Sequence, residues 1–113
     1  MSDMEEKKTY ATEVQLITCV VQRGKAEEVA KVAIKAGAPA ATIYFARGTG
    51  VRERLGLLRI AISPEKEVID IVAPNDRADA IFDAMVSEGK LDTPGMGFIY
   101  MVPVSRAFPV HAR

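Results

Sequence analysis

The sequence predicts an α+β domain of βαββαβ order, and three observations carry that reading. Short β-branched runs alternate with longer stretches whose apolar residues recur at helical spacing. Each helical stretch lies between two β-branched runs, so the order is strand–helix–strand twice over. The length, 113 residues, allows one such domain and one core.

Residues 1–12 open with a polar run (MSDMEEKKTY) and read as a mobile N-terminal arm; the domain spans 13–106 and a tail covers 107–113. Residues 14–21 (VQLITCVV) are β-branched and too short for a helix, hence a strand, ended by Arg23-Gly24. Residues 25–36 form a helix: Val29, Val32, Ala33 and Ala36 share one face, and Glu27–Lys31 is a favourably ordered i,i+4 pair. Gly37 follows where a C-terminal cap wants positive φ, and Pro39 prevents resumption. Residues 42–46 (TIYFA) are a second strand, running into Arg47-Gly48-Thr49-Gly50. Residues 49–64 show no sustained period; 57–62 are open to an extended reading, and Ser63-Pro64 signals a turn.

The second half repeats the plan. Residues 68–73 (VIDIVA) are a third strand, stopped by Pro74. Asn75 or Asp76 caps a helix running to Ser87, whose Ala78, Ile81, Phe82 and Met85 share a face. Residues 88–97 are a loop with Gly89, Gly95, Gly97 and Pro94, and 98–104 (FIYMVPV) a fourth strand. Pro103 removes a ladder donor, so that strand lies at an edge or ends there. The closed form of this order is the ferredoxin-like split βαβ fold, a four-stranded antiparallel sheet with both helices on one face. Its other face is bare. Yet Val14, Leu16 and Val20 on one side and Ile17, Cys19 and Val21 on the other are all apolar, as are Phe98, Tyr100 and Val102 against Ile99 and Met101. An uncovered apolar face marks an interface, so a homo-oligomer is expected.

Composition narrows the chemistry. Fifteen basic and fifteen acidic residues cancel, leaving no global field for nucleic acid or anionic lipid. One cysteine, Cys19, forbids an intrachain disulfide and a Cys-rich metal site; one histidine, His111, forbids a multi-histidine centre. No apolar run reaches the ~20 residues of a spanning helix, so the expected compartment is the cytoplasm, without membrane insertion. No Ser/His/Asp or Cys/His set falls on ordered elements, so no enzyme is expected.

Two glycine-bearing loops carry what chemistry there is. Arg47-Gly48-Thr49-Gly50-Val51-Arg52 leaves a strand, and Gly95-Met96-Gly97 precedes one. Glycines let backbone N–H groups approach an anion, and arginines fork onto phosphate oxygens. Neither loop continues into Gly-Lys-Ser/Thr or opens a helix, which excludes a Walker A loop and a dinucleotide fingerprint. Asp70 is the only charge within an apolar strand. It reads either as an interface or rim carboxylate, or as an acceptor for a ligand hydroxyl or amine. Cys19, mid-strand, reads as an inert buried thiol.

In order and spacing, residues 14–106 resemble the PII signal-transduction proteins. The resemblance rests on Ala36-Gly37, on 42–50 (TIYFARGTG) as a second strand meeting a T-loop through G-x-G, and on 68–76 (VIDIVAPND) as the third strand and its exit. Gly89-Lys90-Leu91 and Gly97-Phe98-Ile99-Tyr100 resemble the two ends of a B-loop. The resemblance implies a homotrimer that binds adenine nucleotides (ATP, ADP or AMP) between subunits and regulates a transporter or enzyme through its T-loop. It implies that Thr42, Asp70 and Val72 meet adenine or ribose. Gly48, Thr49, Gly50 and Arg52 would form the phosphate-facing T-loop base, and Gly95, Met96 and Gly97 the B-loop contact. Arg106 is what remains of an arginine pair after the last strand. The T-loop-like segment 49–64 is shorter than in the nitrogen regulators. No tyrosine lies between Tyr44 and Tyr100, which excludes uridylylation there. Phe98 occupies the B-loop lysine position and Met96 an acidic one, so no tightly bound cofactor is implied. A nucleotide-independent trimeric adaptor, as in the CutA-type architecture, is the alternative.

Overall fold

The computed structural model describes residues 13–48 and 65–108. Six elements follow one another: β1 (Val14–Gln22), α1 (Ala26–Lys35), β2 (Thr42–Arg47), β3 (Glu65–Pro74), α2 (Asn75–Gly89) and β4 (Gly97–Val104). All neighbouring strands are antiparallel, in the order β2-β3-β1-β4. This is the expected ferredoxin-like sheet, with β4 and its Pro103 at an edge. The N-terminal arm, the segment 49–64 and most of the tail lie outside the described residues.

The core forms where the strands' odd-numbered residues meet the helices. Ile17, Cys19 and Val21 of β1 and Ile69, Ile71 and Ala73 of β3 pack against Val29 and Ala33 of α1 and Ala78, Ile81 and Met85 of α2. Burial of these side chains is the main stabilising term, at ~25 cal/mol per Å² of apolar surface. Helix α1 ends as its glycine requires. Gly37 has φ +119°, its N–H donates to the Ile34 carbonyl, and the Ala38 N–H donates to that of Ala33.

Three local expectations are corrected. Strand β3 starts at Glu65, three residues before the apolar run, because the charged Glu65-Lys66-Glu67 pairs with Arg47-Ala46-Phe45 of β2. Helix α2 continues through Glu88 and Gly89, and Lys90 adopts the left-handed conformation (φ 53°) that closes it. Neither Asn75 nor Asp76 caps that helix; Pro74 holds the cap position and no side chain caps it. The Asn75 side chain instead accepts a bond from Gln15 Nε2 at 3.0 Å, and its N–H donates to the Glu13 carbonyl. At α1 a distant side chain does the capping: Glu67 Oε1 of β3 accepts the Ala26 N–H at 2.8 Å.

Candidate functional site

Strand alternation puts Leu16, Thr18, Val20, Val68, Asp70, Val72, Phe98, Tyr100 and Val102 on the face away from the helices, with Thr42 and Tyr44 of β2. Phe98 is 56% exposed, Tyr100 46% and Val102 40%, so the second face is apolar and bare over β4, while Thr18 and Val68 on the same face are buried. The Phe98 and Tyr100 rings stack with centroids 6.2 Å apart. In the middle of this face runs a polar row in register: Thr42, Asp70, Thr18, Tyr100. Asp70 Oδ1 accepts the Thr18 hydroxyl at 2.8 Å, and Oδ2 accepts the Tyr44 hydroxyl at 3.0 Å. That bond to Asp70 raises the Tyr44 pKa, because ionisation would set a phenolate against a carboxylate. Each Asp70 oxygen retains a lone-pair site for a ligand donor. Thr18 and Tyr44, the partners of Asp70, are residues of the candidate site that sequence reasoning missed. The register between strands 26 and 52 residues apart in sequence selects them, and no local motif signals it.

The glycine loops lie at one end of the sheet. Gly48 follows β2 at that end, and Gly95, Met96 and Gly97 lead into β4 there. The Gln22 amide of β1 donates to the Gly95 carbonyl at 3.1 Å and ties the loop to the sheet. Gly97 is required by space: its φ is +140°, and a β-carbon on it would lie 2.1 Å from the Val20 carbonyl oxygen. Because β2 and β4 are opposite edges, Gly48 and Gly97 are separated by three strand spacings, about 14 Å. Arg106 follows β4 at the other end of the sheet, beyond the roughly 23 Å that the strand spans from Gly97 to Val104 at ~3.3 Å per residue. One protomer therefore does not bring Gly48, Gly97 and Arg106 together. Thr49, Gly50 and Arg52 lie outside the described residues. Arg47 is on the helix side of the sheet, 3.9 Å from Glu65, and not beside Asp70.

Cys19 is fully buried, and burial pushes its thiol from the ordinary 9.0 up to about 12, so it is not a nucleophile. Among the described residues, no group of three or more His, Cys, Asp or Glu is placed to hold a metal ion. No helix among them is long and apolar enough to cross a membrane.

The fold is that of a ferredoxin-like α+β domain with a glycine-bearing loop at each edge of the sheet. The nitrogen regulatory protein P-II family matches residues 14–112, and the chain belongs to that family. The structure is similar to that of a PII protein from Arabidopsis thaliana, solved bound to citrate, with a TM-score of 0.64 and 19% sequence identity over 83% of this chain and 79% of that one. No curated protein matches the chain significantly by sequence.

Proposed function

We propose that the protein is a PII-type regulator that assembles as a homotrimer. It binds an adenine nucleotide between protomers and acts on a transporter or enzyme. The observation that carries this reading is the placement of the two glycine loops at one end of the sheet but on opposite edges, in a chain of the P-II family. A ligand touching both loops must span the β2 edge of one protomer and the β4 edge of its neighbour. An edge-to-edge ring of protomers supplies that arrangement and covers the bare apolar face. In such a cleft Thr42, Asp70 and Val72 meet the base or ribose, and Gly48 and Gly95–Gly97 approach the phosphates. Thr49, Gly50, Arg52 and Arg106 remain candidates for the same ligand.

Phe98 in place of the family's B-loop lysine favours ligands with fewer phosphates, ADP or AMP, as much as ATP. The citrate in the plant neighbour makes a tricarboxylate the natural control ligand. Calorimetry with ATP, ADP, AMP and citrate, joined to light scattering, tests the proposal. A trimer that binds at least one nucleotide is expected. No binding by any nucleotide at millimolar concentration sinks the nucleotide part. It leaves the adaptor reading, for which the capture of Asp70 by Thr18 and Tyr44 already speaks.

A further inference from the structure

Two strands that end at the same end of the sheet both leave it through Arg-Gly: Arg23-Gly24 directly after β1, and Arg47, the last residue of β2, with Gly48. The two guanidinium groups converge on one carboxylate. Arg23 Nη1 lies 2.5 Å from Glu65 Oε1, and Arg47 Nη1 lies 3.9 Å from Glu65 Oε2. Two cations drawn together from separate elements repel unless an anion lies between them, and Glu65 is that anion here. Arg23 and Arg47 are 63% and 71% exposed, so these pairs are solvent-screened and weak. Next to each arginine the described residues leave space: a β-carbon on Gly24 or on Gly48 would meet none of them within 4 Å.

We propose that Arg23 and Arg47 form an oxyanion site at this end of the sheet, held at rest by Glu65, and that a pyrophosphate-type group displaces that carboxylate. The site is distinct from the nucleotide cleft above. Arg47 and Glu65 share the helix side of the sheet with Phe45, Ile69 and Ile71, whereas Thr42, Asp70 and Val72 belong to the bare face. A diphosphate offers more acceptor oxygens than a carboxylate and two or more charges, so it satisfies both arginines where Glu65 holds Arg47 only at 3.9 Å. Glu65 then swings into solvent. The exchange is inexpensive because the exposed pairs it breaks contribute little.

Calorimetry at low salt with sodium pyrophosphate, ADP and adenosine tests this on the full chain. Glu65→Gln keeps the shape and removes the competing charge, so pyrophosphate should bind it severalfold tighter than it binds the native protein. The double variant Arg23→Ala/Arg47→Ala should bind it about tenfold more weakly, the worth of losing a charge-assisted hydrogen bond. Arg23→Lys/Arg47→Lys keeps the charge without the fork and should fall between. Circular dichroism checks that each variant is folded; if the alanine pair is not, the lysine pair decides. Glu65→Gln binding no tighter than the native protein, or an arginine pair variant matching it, overturns the site. If ADP follows the pyrophosphate pattern while adenosine does not bind, a nucleotide tail is the natural occupant. If only pyrophosphate follows it, the occupant is a free polyphosphate. ADP binding that is indifferent to all three variants leaves the inter-protomer nucleotide reading intact.

Discussion

The two faces of the sheet are made of the same strands and of similarly apolar residues, yet they meet different fates. On the helix side Ile17, Cys19, Val21, Ile69, Ile71 and Ala73 are at most 1% exposed. On the other side Tyr44, Val72, Phe98, Tyr100 and Val102 are between 37% and 56% exposed, and a carboxylate sits among them. Strand alternation alone does not distinguish a core face from an interface face, since both are written in β-branched and aromatic residues. The polar row does: Thr18 and Asp70 on the bare face have no counterpart among the core residues under the helices. The covered face stabilises the protomer, and the other face, where β4 is exposed, is the surface that the proposed trimer would bury.

The sharpest way to break this comparison is truncation in the covered face. Ile69→Ala removes a fully buried side chain from between both helices and should cost about 2–5 kcal/mol in urea unfolding. Val72→Ala, three residues on and facing the other way, should cost under about 1 kcal/mol at concentrations low enough to keep protomers apart. Equal costs would mean that the bare face is as much a part of the protomer's core as the other.

Alkaline pH probes the covered face through Cys19. Its folded pKa, about 12, is raised from the ordinary 9.0 by burial, so between those values the native state holds a proton that the unfolded chain releases. The stability this represents is complete below pH 9 and is lost as pH rises toward 12, by at most about 1.4 kcal/mol per pH unit. Cys19→Ala should therefore show a shallower fall in urea midpoint from pH 9 upward than the native protein. Tyr44 titrates in the same sense but is common to both, so the difference reports Cys19. Identical slopes would place the thiol in water.

Much of the fold was legible because it is written locally. The apolar runs, Gly37 after α1 and Pro103 in β4 each act through their own φ angle or missing donor, and each fell where expected. The errors came where a charged residue is used at long range. Glu65, Lys66 and Glu67 look like loop, yet they are strand because β2 lies beside them, and Glu67 spends its carboxylate on α1. Asn75 looks like a cap but its side chain belongs to Gln15. The candidate site was legible only in part for the same reason. Asp70 was visible as a lone charge in an apolar strand, whereas Thr18 and Tyr44 become its partners only once three strands are in register. Arg23 was read as the end of a strand, and Glu65 gives it its meaning.

Within the bare face, the polar row makes a finer contrast. Thr18 is buried, so Thr18→Val removes a donor that water does not replace, and Asp70 Oδ1 loses its partner. The expected cost is about 1–2 kcal/mol. Tyr44 is 44% exposed, and solvent takes over the bond in Tyr44→Phe, which should therefore cost less than Thr18→Val. Calorimetric melts of the two variants check the order. A larger loss for Tyr44→Phe would mean that the Tyr44 hydroxyl is shielded from water in solution, as it would be inside an assembly.

The smallest effect on the protomer should come from the residues that matter most outside it. Phe98→Ser with Tyr100→Ser removes the stacked pair from the bare face, where both rings are about half exposed and neither touches a helix-side core residue as a fully buried side chain does. The protomer's circular dichroism should therefore be unchanged. Assembly should not survive, because the pair supplies much of the apolar area that a neighbouring protomer would cover. Since association stabilises the native state by mass action, the melting temperature of the native protein should rise with protein concentration and that of the double variant should not. Light scattering completes the measurement, with a larger particle expected for the native chain than for the variant. A native melting temperature independent of concentration, with scattering that reports a monomer, would remove the interface role of this face and the homotrimer with it. A double variant that fails to fold even when dilute would show instead that the two faces are not separable, since the rings would then be holding the β4 edge to β1 in the protomer itself.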